Sequence, residues 1–116
     1  MSEHHGSCHC GAVKLVLNDT PSDAGDCTCS LCRRIGGLWQ HTDPSKVTVV
    51  FADDGAGTAY RQGDCRLDTW HCRTCGCTTH WTPVDPDYLR MAVNLRMFDP
   101  ALWRDLPRRL IDGASY

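Results

Sequence analysis

The sequence predicts an all-β fold of short strands held together by metal, and three observations lead there. Short β-prone runs recur between clusters of Gly, Pro, Asn, Asp and Ser. Of the 14 acidic residues 13 are Asp, a poor helix-interior residue that favours turns and sheet edges. Nine cysteines accompany only 21 Leu, Ile, Val and Phe residues in a chain of 116, so a staple is expected to replace part of the core.

Taken in order, Ala12 to Leu17 reads as a strand, ended by the turn cluster Asn18-Asp19-Thr20-Pro21-Ser22. Cys27 to Cys32 reads as a thiol-dense loop, with Gly36-Gly37 after it as a hinge or bulge. Leu38 to Thr42 and Lys46 to Phe51 are strands on either side of the Asp43-Pro44-Ser45 turn. After Asp53-Asp54-Gly55-Ala56-Gly57 come strands at Thr58 to Gln62 and Arg66 to His71, then Thr78 to Thr82. Tyr88 to Met97 is the longest strand candidate. The one helix signal is Asp99-Pro100-Ala101-Leu102-Trp103, an Asp N-cap before a Pro at the first helical position. No repeat or linker interrupts the chain, and residues 1–116 are expected to form one domain.

The nature of the staple follows from compartment and count. The N-terminal residues lack the apolar stretch of a secretory signal, and no run approaches the ~18 apolar residues of a membrane span. A cytoplasmic location is therefore expected, where disulfides are rare and thiolate–metal sites persist. Nine is odd, so full disulfide pairing would strand a thiol. A net charge of −2 with scattered basic residues gives no footprint for nucleic acid. Neither nucleic acid nor membrane is an expected partner, and the sequence carries no signal of oligomeric state.

The thiols fall into clusters: Cys8-His9-Cys10, Cys27-Thr28-Cys29-Ser30-Leu31-Cys32 and Cys72-Arg73-Thr74-Cys75, the last followed at once by Gly76. Zinc takes thiolates at about 2.3 Å in a tetrahedron, which ligands two or three residues apart on a turn reach with little loss of chain entropy. The two pairs Cys8/Cys10 and Cys72/Cys75 sum to one closed, structural site. Cys27, Cys29 and Cys32 supply three ligands and leave a position open, the pattern of a catalytic site. A rival pairing of Cys29/Cys32 with Cys72/Cys75 leaves 39 residues between the pairs and strands Cys27. The trio could also be a second structural site, closed by Cys65, Cys77, His71 or His80. Cys65 and Cys77 otherwise read as small hydrophobes. Arg33 and Arg34 either balance thiolate charge or sit on a solvated loop.

These motifs, in the order Gly6-Ser7-Cys8-His9-Cys10-Gly11-Ala12-Val13, Cys27-Thr28-Cys29-Ser30-Leu31-Cys32-Arg33-Arg34, Cys72-Arg73-Thr74-Cys75-Gly76 and Val93-Asn94-Leu95-Arg96, closely resemble the glutathione-dependent formaldehyde-activating enzyme family. That family shares its domain with centromere protein V. The likeness runs from about Gly6 to Asp112-Gly113. It implies a β-tent of small stacked antiparallel sheets, with at most a short C-terminal helix. It implies two zinc ions, one structural on Cys8, Cys10, Cys72 and Cys75, one catalytic on Cys27, Cys29 and Cys32. The reaction it implies is that of a carbon–sulfur lyase, joining a small thiol such as glutathione to a small aldehyde such as formaldehyde. The alternative, in the manner of the centromere relative, is a non-catalytic zinc-stapled binding module. The chain departs from the family at His71, which replaces the aromatic residue usual before C-x-x-C, with Trp70 one position earlier.

Other polar residues carry weaker expectations. His9 is expected to face solvent, and His4 and His5 read as tail residues. Asn94 and Arg96, on one face of a strand, either contact a substrate carboxylate or serve an edge-strand salt bridge. The four tryptophans read as core filler.

Overall fold

The computed structural model describes residues 3–61 and 66–112. Ten strands are seen among them: β1 (His4–Ser7), β2 (Val13–Leu17), β3 (Ala24–Cys27), β4 (Trp39–Thr42), β5 (Val47–Phe51), β6 (Gly57–Arg61), β7 (Leu67–Cys72), β8 (Thr78–Pro83), β9 (Met91–Asn94) and β10 (Arg108–Ile111). Two one-turn helices join them, α1 (Cys32–Ile35) and α2 (Pro100–Trp103). The strands form a three-stranded sheet, β1-β2-β5, and a seven-stranded sheet ordered β10-β3-β4-β9-β8-β7-β6. The all-β expectation holds. Pairing is antiparallel except at β10–β3, which is parallel.

Strand periodicity decides what lies between the sheets. On β2, Val13, Leu15 and Leu17 are fully buried while Lys14 is exposed. Leu15 and Leu17 pack with Ala24, Leu38, Met91, Val93, Leu95 and Phe98 into the main core. Met91 and Val93 thus point at the small sheet, and Ala92 points the other way, into a cluster with Trp39 and Trp81. Cys27, Cys32 and Leu67 pack against that second cluster. A third cluster of Cys8, Val13, Ala56 and Cys72 closes one end of the sheet pair.

Four expectations need correction. His4 and His5 are not tail residues: β1 pairs with β2, His4 opposite Leu17. Four residues of a sequence with no alternation give no local signal, so only the partner strand reveals β1. Strands β3 and β10 escape for the same reason, and β10 also breaks the expected all-antiparallel pattern. Gly36-Gly37 is not a bulge: Gly36 ends α1 in a left-handed conformation (φ 73°), donating its N–H to the Cys32 carbonyl. The long strand expected at Tyr88 to Met97 shrinks to β9, because Asn94 turns the chain into a 3₁₀ turn at Leu95–Met97. The α2 signal was legible, with Asp99 accepting from the Ala101 N–H at 2.9 Å.

Asn94 is buried and both ends of its amide are engaged. Its Oδ1 accepts from the backbone N–H groups of Leu38 and Arg96, both at 3.2 Å, and its Nδ2 donates to the Thr78 carbonyl at 2.9 Å. It ties β4, β8 and the turn after β9 together, so neither role proposed for it from the sequence stands. Asn94→Ala is expected to destabilise the fold by roughly 3 kcal/mol, since buried backbone groups lose their partners. A shift in the urea midpoint under about 0.5 kcal/mol equivalent would contradict this role.

His80 introduces a pH dependence. It is buried, hydrogen-bonded to Thr79 Oγ1 at 2.8 Å and stacked on Trp70 with centroids 5.9 Å apart. Burial pushes its pKa down to about 4. Unfolded chains take up this proton near pH 6.5, before folded ones do. Stability present above pH 6.5 is therefore lost as pH falls towards 4, by about 3 kcal/mol at most. His80→Gln is expected to flatten that part of the stability–pH curve. Parallel curves for the two proteins would show that His80 carries none of the slope.

Candidate metal centre

Four cysteines from two sheets converge. Cys8 and Cys10 lie in the β1–β2 turn, Cys72 ends β7 and Cys75 lies in the β7–β8 turn. Their sulfurs all lie within 4.8 Å of one another. The Cys8–Cys10 and Cys10–Cys72 sulfur separations are 3.7 and 3.6 Å. A cation at about 2.3 Å from four tetrahedral sulfurs sets them about 3.8 Å apart, so the donor set fits a zinc-sized ion.

Local backbone geometry builds both turns as ligand loops. Cys8 N–H donates to the Val13 carbonyl and Cys72 N–H to the Cys77 carbonyl, which closes each turn across its ligands. Gly11 and Gly76 sit at φ 85° and 79°, a conformation that glycine adopts without strain. The turns then aim amides at sulfur: Val13 N–H at Cys8 (3.3 Å), Thr74 N–H and Cys75 N–H at Cys72 (3.4 and 3.5 Å). The Cys75 N–H holds the Cys72 thiol below its ordinary pKa. The Cys77 N–H directed at Cys75 pulls that thiol down to about 5. Amides that stabilise thiolate suit cation binding.

The trio Cys27, Cys29 and Cys32 forms a second convergence within 4.8 Å. Cys27 ends β3 and Cys32 opens α1, so one helical turn folds Cys32 back over Cys29. Cys32 N–H donates to Cys29 Sγ at 3.2 Å. Burial opposes ionisation at Cys29, but that amide and the neighbouring thiols hold its pKa below the ordinary value. Burial raises the Cys27 and Cys32 thiols. Arg34 donates to the Ser30 carbonyl at 2.6 Å and braces the loop.

The four-plus-three grouping read from spacing is thus the one the fold brings together, and the rival pairing of Cys29/Cys32 with Cys72/Cys75 is not. A family model for the glutathione-dependent formaldehyde-activating enzyme matches residues 3–106. The chain belongs to this family. A crystal structure of a protein from Rhodobacter sphaeroides is similar, with a TM-score of 0.73 and 32% identity over 90% of this chain and 99% of that one. No curated protein matches the chain significantly. Membership of the formaldehyde-activating enzyme family supports a function related to formaldehyde and glutathione.

The remaining candidates of this family member fall away from the trio. Cys77 packs beside the four-thiol cluster, and His80 is held by Thr79 and Trp70. His71 lies on β7, paired with Thr58 and Thr78. Among the described residues no fourth Cys, His, Asp or Glu joins the trio; Cys65 lies outside them. His9 is exposed, as expected. Arg96 donates to the Gly36 carbonyl at 2.7 Å and lies over Trp103, which places it at the end of α1 rather than in a salt bridge. A shallow groove of about 470 Å³ opens on the small sheet, lined by His5, Lys14, Val16, Val50 and Met97; none of the trio lines it. No helix among the described residues is long and apolar enough to cross a membrane.

Proposed function

We propose that this chain, as one domain, is a zinc-dependent carbon–sulfur lyase that forms or cleaves the adduct of a glutathione-like thiol with a small aldehyde such as formaldehyde. The observation that carries this reading is the contrast between the clusters. Four thiols close round one point, while three close round another with no fourth ligand beside them among the described residues. On this reading Cys8, Cys10, Cys72 and Cys75 hold a structural zinc, and Cys27, Cys29 and Cys32 hold a catalytic one. Zinc bound by the trio would stabilise a substrate thiolate at neutral pH.

The chain's own contribution is positional. The α1 turn fixes the trio's sulfurs on one side, and the Cys32 amide favours thiolate at Cys29. A thiolate held beside an aldehyde reacts with most of the entropy of encounter already removed. Its sulfur bonds to the carbonyl carbon, the π pair moves to oxygen, and oxygen takes a proton from solvent to give the hemithioacetal. Cleavage is the reverse. Free thiols in this density suit a reducing compartment, so cytoplasmic residence belongs to the same proposal.

The test is X-ray absorption of the two-zinc protein with and without glutathione. The mean sulfur count per zinc is expected to rise from about 3.5 to about 4 as thiol enters the vacant position. An unchanged sulfur shell ends the catalytic reading and leaves the binding module.

A further inference from the structure

Among the described residues one buried side-chain nitrogen has no hydrogen-bond partner, the indole Nε1 of Trp39. Two other indoles are engaged: Trp70 donates to Thr82 Oγ1 at 2.9 Å and Trp103 to the Phe98 carbonyl at 3.0 Å. A buried N–H without an acceptor is costly and calls for an explanation, a missing ion or a changed protonation state among them.

The surroundings of Trp39 supply one. Trp39 lies on β4 opposite Gly25 of β3, two residues before Cys27 on the same face. Cys27 and Cys32 both pack against the Trp39–Trp81–Ala92 cluster. The ring edge bearing the nitrogen lies along the segment leaving α1: a Cβ at Gly37 would stand 2.9 Å from Cζ2 and 3.3 Å from Nε1. Gly37 thus leaves the space the indole fills, and α1 is the turn that Cys32 opens.

The sulfurs of the trio are unequally provided with donors. Cys29 receives the Cys32 N–H and Cys27 the Cys29 N–H. Among the described residues no N–H donates to Cys32 Sγ, and its own thiol proton is directed at the neighbouring Cys29 and Cys27 sulfurs. Loading a cation removes that proton, so Cys32 becomes a charged acceptor with no donor of its own. The cluster then holds a donor lacking an acceptor, and an acceptor lacking a donor packs against that cluster.

We propose that the Trp39 indole N–H donates to the Cys32 sulfur in the metal-loaded trio, which makes Trp39 a positioning residue for that centre. The inference rests on the trio binding a cation and is independent of the lyase reaction. The N–H···S bond offsets part of the charge of three thiolates and keeps Cys32 a firm ligand. Incoming thiol then exchanges at the vacant position without displacing Cys32.

The experiment loads the whole protein with an NMR-active cadmium isotope and observes nitrogen-labelled indoles. The Trp39 signal, assigned as the one missing from Trp39→Phe, is expected to move downfield and exchange more slowly on loading. It should show scalar coupling to the cadmium held by three sulfurs, and none to the cadmium held by four. Trp39→Phe removes the N–H and keeps an aromatic ring remote from the four-sulfur site, so its four-sulfur cadmium signal should persist while the second ion binds about tenfold more weakly. Gly37→Ala, which pushes the ring aside, should lose the coupling while retaining the indole. An indole signal unmoved by loading, coupling to neither cadmium, or a trio that takes no cadmium overturns the proposal. If glutathione leaves the metal–sulfur shell unchanged yet the coupling is present, the lyase reading fails and this one stands.

Discussion

Cys72→Ser is expected to abolish the folded state at ambient temperature. Cys72 is fully buried where the two sheets meet, packed with Cys8, Val13 and Ala56, and its sulfur gathers the Thr74 and Cys75 amides. Its loss opens the only thiol cluster among the described residues that spans both sheets. Structural zinc in small domains contributes about 10–16 kcal/mol of apparent binding energy, as large as the whole stability of a typical domain at about 5–15 kcal/mol. Large aliphatic side chains are too scarce here to compensate. The measurement is thermal unfolding together with metal content. A variant that unfolds cooperatively near the wild-type midpoint would show that the small sheet holds to the large one without this staple.

Cys29→Ser should give the opposite pattern. Metal content is expected to fall from two ions to one with the thermal transition largely kept, because the trio lies within one connection of the large sheet and bridges nothing. Adduct formation between glutathione and formaldehyde should fall by at least about a hundredfold, the loss expected when a group that holds the thiolate in place is removed. The pair of variants separates the two clusters: one removes the fold, the other the chemistry. If Cys29→Ser also unfolds the chain, both clusters are structural and the binding-module reading gains. If activity survives with one ion bound, the trio is not where the thiol binds.

Which features could be read in advance depended on how local their cause was. The turn at Asp43-Pro44-Ser45 and the Asp99 cap were legible because a side chain next to the turn satisfies its backbone. β2 was legible because its alternation is buried on one side. By contrast β1, β3 and β10 have no pattern of their own: β1 exists through its pairing with the next strand, β3 and β10 through each other across some eighty residues. Asn94 shows the same limit at a single residue. Its sequence context suggests a strand residue facing a ligand, whereas its amide spans three segments that only the fold assembles. Nothing in the sequence marks Trp39 apart from the other tryptophans either; its unpartnered nitrogen is a property of what surrounds it.

The sequence by itself determined the thiol clusters and favoured their division into four and three, since chelation requires closely spaced ligands and closely spaced ligands are visible in a string. It also determined the all-β class, through its turns and its shortage of helix formers. Only the tertiary structure decided that Cys8 and Cys10 meet Cys72 and Cys75 across two sheets, that Cys77, His71 and His80 stay away from the trio, and that Cys27 and Cys32 pack against the Trp39–Trp81–Ala92 cluster. Those are distances between residues remote in sequence. They arise from strand pairing and burial acting over the whole chain, and no local pattern encodes them.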